Sequence, residues 1–432
     1  MPYLLYRVLG TGLYLLLLLF SPLVRFWGGR YGYCLEQRFG WYPDIAGRKI
    51  AGCRTVWIHA SSVGEAQAAI VLIIELLKAG EELQIVLTSA TEQGNRVARS
   101  RLPDSVFCLM APFDAPLVVR RTLRTLRPDV YICLETELWP VLLTEVREAG
   151  IPMLLLNGRL SERSYSRYRW IRPFMRSLLR GFQAIAVISA ADGQRFSGLG
   201  FPENRIQVCG NLKYDMPAAH PEAVRALSRQ RLGIARQAVF ICGSTHEGEE
   251  EMLLPVFQRL AASFPLVWVV APRHLERLPA VEAFFHGSGL AFERYSDLAV
   301  KARCAKVVLV DTMGELADLY AGGDFIFCGG SLVDRGGHNI MEAARWGRPV
   351  YFGPYMKDFR DAAQQLTAAG GGFQVADASE LATQLLHHHA HPEEYQAAGA
   401  KAAAMAAQQR GAVGRQAGIV SRLLASRGKE AE

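Results

Sequence analysis

Short, almost uninterrupted apolar runs recur along this chain, each followed by a stretch with helical spacing. That rhythm limits what it can fold into. Residues 55–60 (TVWIHA), 83–90 (LQIVLTSA), 129–135 (DVYICLE), 152–158 (PMLLLNG) and 184–190 (AIAVISA) read as strands. Strands apolar on both faces belong in a parallel sheet covered by helices on both sides. The intervening segments, such as EAQAAIVLIIELLKAG and APLVVRRTLRTLRPD, have helical spacing and stop at Gly or before Pro. The pattern predicts a doubly wound α/β domain.

The rhythm restarts after residues 211–215, with runs at 238–244, 266–272, 306–311, 324–331 and 349–354. A chain of 432 residues exceeds the roughly 250 that one core usually serves, so two domains are expected. We place them at 31–215 and 225–432, with a linker near 212–225, where DMPAAHPEA breaks the periodicity with two prolines. The Ala- and Gln-rich tail from 392 to about 426 reads as helix and is a candidate to cross back over the first domain. Two Rossmann-like domains facing each other would set a ligand cleft at the C-terminal ends of their strands.

Residues 1–30 read as a membrane anchor. Residues 8–24 (VLGTGLYLLLLLFSPLV) carry no charge and lie between Arg7 and Arg25. At 1.5 Å per residue they span roughly 26 Å, slightly short of a typical bilayer core. Both a short span and a deeply embedded monotopic helix fit. No small-residue cleavage site follows, so an uncleaved anchor is preferred over a signal peptide. Arg25, Arg30 and Arg38 against the single Arg7 put the body on the cytoplasmic side. The formal charge of +7 suits work beside anionic lipid or on phosphorylated substrates. No basic run interleaved with aromatics points to nucleic acid. The eight cysteines are far apart and form no CxxC pair, which fits free thiols in a reducing compartment.

Chemistry is expected at strand ends. The loop His59-Ala-Ser-Ser-Val-Gly-Glu65 follows the first strand and opens a helix. Glu65 there can serve as a general base on an acceptor hydroxyl, or can close a capping box with Ser62. Glu135 and Glu137 end another strand in LETELWP and would share a face in extended chain. They read either as a catalytic pair or as a helix cap (Glu137) and an arginine partner (Glu135). Lys213, in GNLKYD, lies where the domains join and reads otherwise as a solvated hinge lysine.

In the second half, DFIFCGGSLVDRGGHNIMEAARWG reads as strand, glycine-rich loop and helix, whose N-terminus would meet a phosphate. Asn339 and Glu342 share a helical face, and Glu342 suits ribose hydroxyls better than phosphate. Pro272 and Arg273 in APRH, and Met313, Gly314 and Glu315 in DTMGE, follow strands of the same domain. Three strand-end motifs converging on one cleft point to a nucleotide site. His246, His274 and His338 lack HxxxH or HxH spacing and no DxD clamp accompanies them, so no metal is expected. His387, His388, His389 and His391 read as incidental.

Taken together, the apolar anchor, HASSVGE, ETELWP, NGRLSERS, GNLKYD, APRH, DTMGEL and GGHNIMEAA resemble the Kdo (3-deoxy-D-manno-octulosonic acid) transferase family in order and spacing. The resemblance spans nearly the whole chain. It implies an inverting glycosyltransferase of the GT-B fold at the bacterial inner membrane, moving Kdo from CMP-Kdo to the lipid A precursor without a metal. It further implies Glu65 as base, Glu135 and Lys213 as assistants to the transition state, and Pro272, Arg273, Met313, Gly314, Glu315, Asn339, Ile340, Met341 and Glu342 around the CMP portion. The chain departs from the family at Ile340-Met341, where Pro-Leu is usual, and at Gly158, where Ala is commoner.

Overall fold

The apolar runs form two parallel sheets, one in each half of the chain. A computed structural model describes residues 35–43, 45, 53–78, 82–215 and 221–430, together with Tyr6 and Gly12. The proposed anchor, residues 8–24, lies outside the described residues apart from Gly12. Among the described residues no helix is long and apolar enough to cross a membrane. The chain divides into unit 1, Met1–Asp215 with Gly411–Glu432, and unit 2, Met216–Arg410.

Unit 1 contains β1 (Arg54–Ala60), β2 (Leu83–Ser89), β3 (Phe107–Met110), β4 (Val130–Leu134), β5 (Met153–Gly158), β6 (Phe182–Val187) and β7 (Ile206–Val208). They run in the order β3-β2-β1-β4-β5-β6-β7. Alternation sends Val56, Ile58, Ile132, Leu154 and Leu156 to one apolar cluster and Trp57, Tyr131, Cys133, Met153 and Leu155 to another, as a sheet covered on both faces requires.

Three helices of this unit bear on the site. α1 (Val63–Lys78) follows β1, α2 (Pro140–Glu148) follows β4, and α3 (Ala412–Glu430) is the last element of the chain. α1 buries Ile70, Leu72, Ile73 and Leu76 in the first cluster. α3 adds Val413, Ala417, Val420 and Leu424 to it, a spacing that makes one helical stripe. Residues 411–432, read from sequence as part of the second domain with a helix crossing back, therefore group with unit 1. α2 is capped from a distance, because Val141 and Leu142 donate their N–H groups to Asp114, at 3.1 and 2.7 Å.

Unit 2 contains β8 (Ala238–Thr245), β9 (Leu266–Pro272), β10 (Phe292–Arg294), β11 (Val307–Leu309), β12 (Phe325–Cys328), β13 (Val350–Phe352) and β14 (Gly372–Gln374). Their order is β10-β11-β9-β8-β12-β13-β14. The core holds Phe240, Trp268, Phe285, Phe327 and Tyr351. His388, which looked incidental in sequence, is buried with its Nδ1 2.5 Å from the Tyr351 hydroxyl. His389 stacks on Phe264 with ring centroids 3.8 Å apart.

Candidate active site

The chain lays β1, β2 and β3 toward one edge of the first sheet, then returns to place β4 through β7 on the other side of β1. β1 and β4 are thus the neighbours at which strand order reverses. Loops leaving the carboxyl ends of such a pair diverge and open a crevice. Glu65 sits on the loop and helix after β1, and Glu135 is the residue following β4.

Glu65 is buried at the first turn of α1. Ser61 donates its backbone N–H to Glu65 Oε2 at 2.6 Å, and the Ser62 hydroxyl donates to Oε1 at 2.9 Å. The Ser62 oxygen accepts the Glu65 N–H at 3.3 Å. The capping reading is thus realised, yet each carboxylate oxygen keeps a second lone pair for a proton. Burial, followed by the charges of Glu135 and Glu137, pushes the Glu65 carboxyl up to about 7. A carboxylate poised there can both take and release a proton near neutrality.

Glu135 has φ +56°, a left-handed conformation that non-glycine residues hold only where surrounding structure enforces it. Its backbone N–H donates to the Leu156 carbonyl at 2.9 Å. The extended geometry expected for residues 135–137 is therefore absent, and the two glutamates bond to different partners. Glu137 does not cap α2, a role taken by Asp114; instead it accepts the Trp139 indole N–H at 2.9 Å. Glu135 pairs with Lys213, whose Nζ donates to Glu135 Oε1 at 2.5 Å. The hinge-lysine reading is overturned, because Lys213 is held in this ion pair. A Cβ at Gly64 would lie 3.3 Å from Lys213 Nζ, so the glycine of HASSVGE leaves room for the ammonium.

The second sheet repeats the device. Its order reverses between β8 and β12, and the loops after these strands meet. Glu249, buried after β8, accepts the N–H groups of His246, Gly330, Ser331 and Leu332 at 2.9, 2.6, 3.1 and 3.0 Å. Burial raises its carboxyl while these four bonds oppose the rise. Three N–H groups of the glycine-rich loop, those of Gly330, Ser331 and Leu332, are thus bound to Glu249 and are not open to a phosphate. The following helix is only Met341–Ala344, and Asn339 Oδ1 accepts the Met341 N–H at 3.1 Å.

The charged groups here are side chains. Arg273 follows β9 and is close enough to Glu342, His246 and His338 to shift each of them. Asn339 Nδ2 donates to Glu342 Oε1 at 3.1 Å, and burial raises the Glu342 carboxyl. His246 and His338 stack with their Nε2 atoms 2.9 Å apart. Burial and neighbouring cations hold them down at about 4 and about 3, so both imidazoles are neutral at pH 7. Among the described residues no group of three or more His, Cys, Asp or Glu side chains is placed to hold a metal ion.

Ile340 and Met341 are buried in the core and can offer a ligand only their main chain; Pro272 is likewise buried. Met313 is exposed, Gly314 has φ +92°, and Glu315 is engaged by Arg231 at 2.7 Å. At Gly158 a Cβ would come within 2.6 Å of Leu155 Cδ2, so an alanine there requires the Leu155 side chain to shift. Sequence reading passed over Glu249, Asp114 and Gln416. Each acts on backbone groups far away in sequence, so local spacing carries no trace of them.

Likeness in sequence and in structure places the chain among known proteins. The profile of the family described as 3-deoxy-D-manno-octulosonic-acid transferase (kdotransferase) matches residues 34–216. The 3-deoxy-D-manno-octulosonic acid transferase of Haemophilus influenzae is 33% identical over 376 residues, covering 86% of this chain and 87% of that protein. The transferase of that name from Bordetella pertussis is 32% identical over 429 residues, covering 94% and 98%. In structure, MurG of Acinetobacter baumannii aligns over 86% of this chain and 99% of its own with a TM-score of 0.55 at 16% identity, a likeness of fold alone. With the two-sheet architecture and relatives of this extent, the chain belongs to the 3-deoxy-D-manno-octulosonic acid transferase family and is a glycosyltransferase.

Proposed function

We propose that the chain transfers Kdo from CMP-Kdo to a lipid A precursor in lipopolysaccharide synthesis, with inversion and without a metal ion. The observation that carries this reading is Glu65, a buried carboxylate held near neutrality one residue from the glycine that makes room for Lys213. The acceptor hydroxyl gives its proton to Glu65 as its oxygen bonds to the anomeric carbon, and the bond from that carbon to the CMP phosphate oxygen breaks. Lys213 neutralises Glu135, so Glu65 can ionise beside it near pH 7. Family membership supports the same three residues in catalysis.

In unit 2 we assign Pro272, Arg273, Met313, Gly314, Glu315 and Asn339 through Glu342 to the CMP portion. Arg273 supplies positive charge for the phosphate, and Glu342 accepts from ribose hydroxyls. A monophosphate leaving group carries less charge than a diphosphate and is served by side-chain cations alone. CMP with excess chelator is therefore expected to raise the melting temperature, and UDP to leave it unchanged. Protection by UDP, or transfer activity abolished by chelator and restored by magnesium, would overturn this assignment.

We also propose that residues 8–24 hold the protein on the inner membrane with its body on the cytoplasmic face, on the strength of the uncharged run and the arginine asymmetry. Protein lacking residues 1–30 is expected to leave the membrane pellet in high salt. Continued sedimentation with lipid would refute the anchor.

A further inference from the structure

The Lys213–Glu135 pair is held from a direction that nothing in the motifs announces. Residues 209–215 form the segment that presents Lys213, and three of them are bonded to the last helix of the chain. Arg415 donates from Nε and Nη2 to the Cys209 carbonyl at 3.1 and 2.8 Å. Gln416 Nε2 donates to the Gly210 carbonyl at 3.0 Å. Asp215 accepts the N–H groups of Gly411 and Val413 at 2.8 and 2.7 Å.

Asn157 joins this brace to the catalytic pair. It lies at the end of β5 with φ +54°, and its N–H donates to Gln416 Oε1 at 2.7 Å. Its own Oδ1 accepts the Leu212 N–H at 2.9 Å. The next turn is fixed by Asn211, whose Oδ1 accepts the Lys213 N–H at 3.0 Å. The other member of the pair is anchored one residue away, through the bond from Glu135 N–H to the Leu156 carbonyl. Residues 156 and 157 thus carry both arms, Glu135 by the backbone and Lys213 through the Asn157 amide. Gln416 is fully buried, and a glutamine there is a costly choice unless both ends are bonded, as they are.

We propose that Asn157 and Gln416 are positioning residues of the transferase, holding the Lys213 turn against the end of β5 so that its ammonium meets Glu135 beside the Glu65 loop. The inference rests on the proposed roles of Glu65, Glu135 and Lys213. It gives the returning helix a catalytic task in addition to its burial of Val413, Val420 and Leu424. When the brace is cut, Lys213 loses its fixed approach, and Glu135 faces Glu65 without its counter-charge. The charges that act on Glu65 are those of Glu135 and Glu137; Glu65 in turn raises the Cys133 thiol, and the Lys213 ammonium lies beside Gly64, next to Glu65 in the chain.

The test compares Gln416→Met, which keeps the volume and removes both bonds, with Gln416→Glu. A buried glutamic acid in its protonated form can accept from Asn157 N–H and donate to the Gly210 carbonyl, reproducing both bonds. In full-length protein assayed with CMP-Kdo and a lipid A precursor, Gln416→Met is expected to lower kcat about ten- to a hundredfold. Protection by CMP should be unchanged, and the acid limb of the pH–rate profile should move to higher pH. Gln416→Glu should recover most of the rate at pH 6 and lose it as the pH rises and the acid ionises. A loss of melting temperature alone would move neither the acid limb nor the rescue.

Parent-like kcat and an unmoved acid limb in Gln416→Met overturn the proposal, as does a Gln416→Glu variant no better than Gln416→Met at pH 6. If Gln416→Met fails to fold, Asn157→Gly carries the same test, because glycine accepts the left-handed backbone and lacks only the acceptor for Leu212. Glu65→Gln measured alongside separates two kinds of failure. Full transfer in Glu65→Gln defeats the reading of the site and the proposal with it, whereas an inactive Glu65→Gln beside a fully active Gln416→Met defeats the positioning role alone.

Discussion

Glu65→Gln is expected to cut transfer at least about a hundredfold while CMP protection stays unchanged. Glutamine keeps one acceptor oxygen for the Ser61 N–H and turns its amide N–H toward the Ser62 hydroxyl oxygen, but it cannot take a proton. Its melting temperature should equal or exceed the parent's, because the buried charge facing Glu135 and Glu137 is gone. The pH dependence has a definite sign. The base must be ionised, so in the parent kcat/KM should fall about tenfold per pH unit below about 7 and level off above it. The same rise in pKa means that Glu65 contributes its stabilisation fully below its ordinary value, and that this is lost as pH climbs toward about 7. The site is thus least stable where it is most active. Near-normal turnover in Glu65→Gln, with only a cap's worth of stability lost, would leave Glu65 as a helix cap.

The largest effect on stability is expected at Glu249. Alanine there removes the acceptor of four backbone N–H groups, at least three of them buried. Each buried donor left unpaired costs about 1–3 kcal/mol, with partial relief by water entering the gap. A net loss of about 3–5 kcal/mol follows, or roughly 10 °C in the melting of a unit this size. Residues 329–338 would lose the anchor that brings His338 onto His246, so CMP protection should be lost as well. Glu249→Gln, which retains one acceptor oxygen, should fall between. Melting of Glu249→Ala within a degree or two of the parent, with CMP protection intact, would refute the anchoring role.

Much of the fold is legible in the amino-acid order, and the strands it leaves out share a place in the sheets. The ten apolar runs all contain strands, whereas β3, β7, β10 and β14 went unread. These are the four edge strands of the two sheets. An edge strand need not be apolar throughout, and β7 and β10 (IQV and FER) leave their residues partly or wholly exposed, so no continuous run marks those two, whereas β3 (FCLM) is apolar and mostly buried and was passed over for its shortness. At the site, Ser62 and Glu65 form the local cap that their spacing of three allows. Glu135 and Glu137 do not share an extended strand because residue 135 is held left-handed, and nothing in LETELWP forecasts that. The glycine-rich loop is tied down at Gly330, Ser331 and Leu332 by Glu249, whose own helix follows β8, and no local pattern in the loop points to so distant a partner.

Local sequence alone settled which segments become the interior parallel strands and that Glu65, Glu135 and Arg273 stand after such strands, because these follow from side-chain volume, polarity and spacing along one stretch of chain. Tertiary structure alone decided which strand ends meet. The reversal of order between β1 and β4 brings the Glu65 loop to Glu135, and the reversal between β8 and β12 brings His246 to His338. The return of the last helix then fixes Lys213 through Gln416 and Asn157. Strand order and helix return are chosen by the packing of whole elements against one another, a sum over distant contacts that no local stretch of sequence contains.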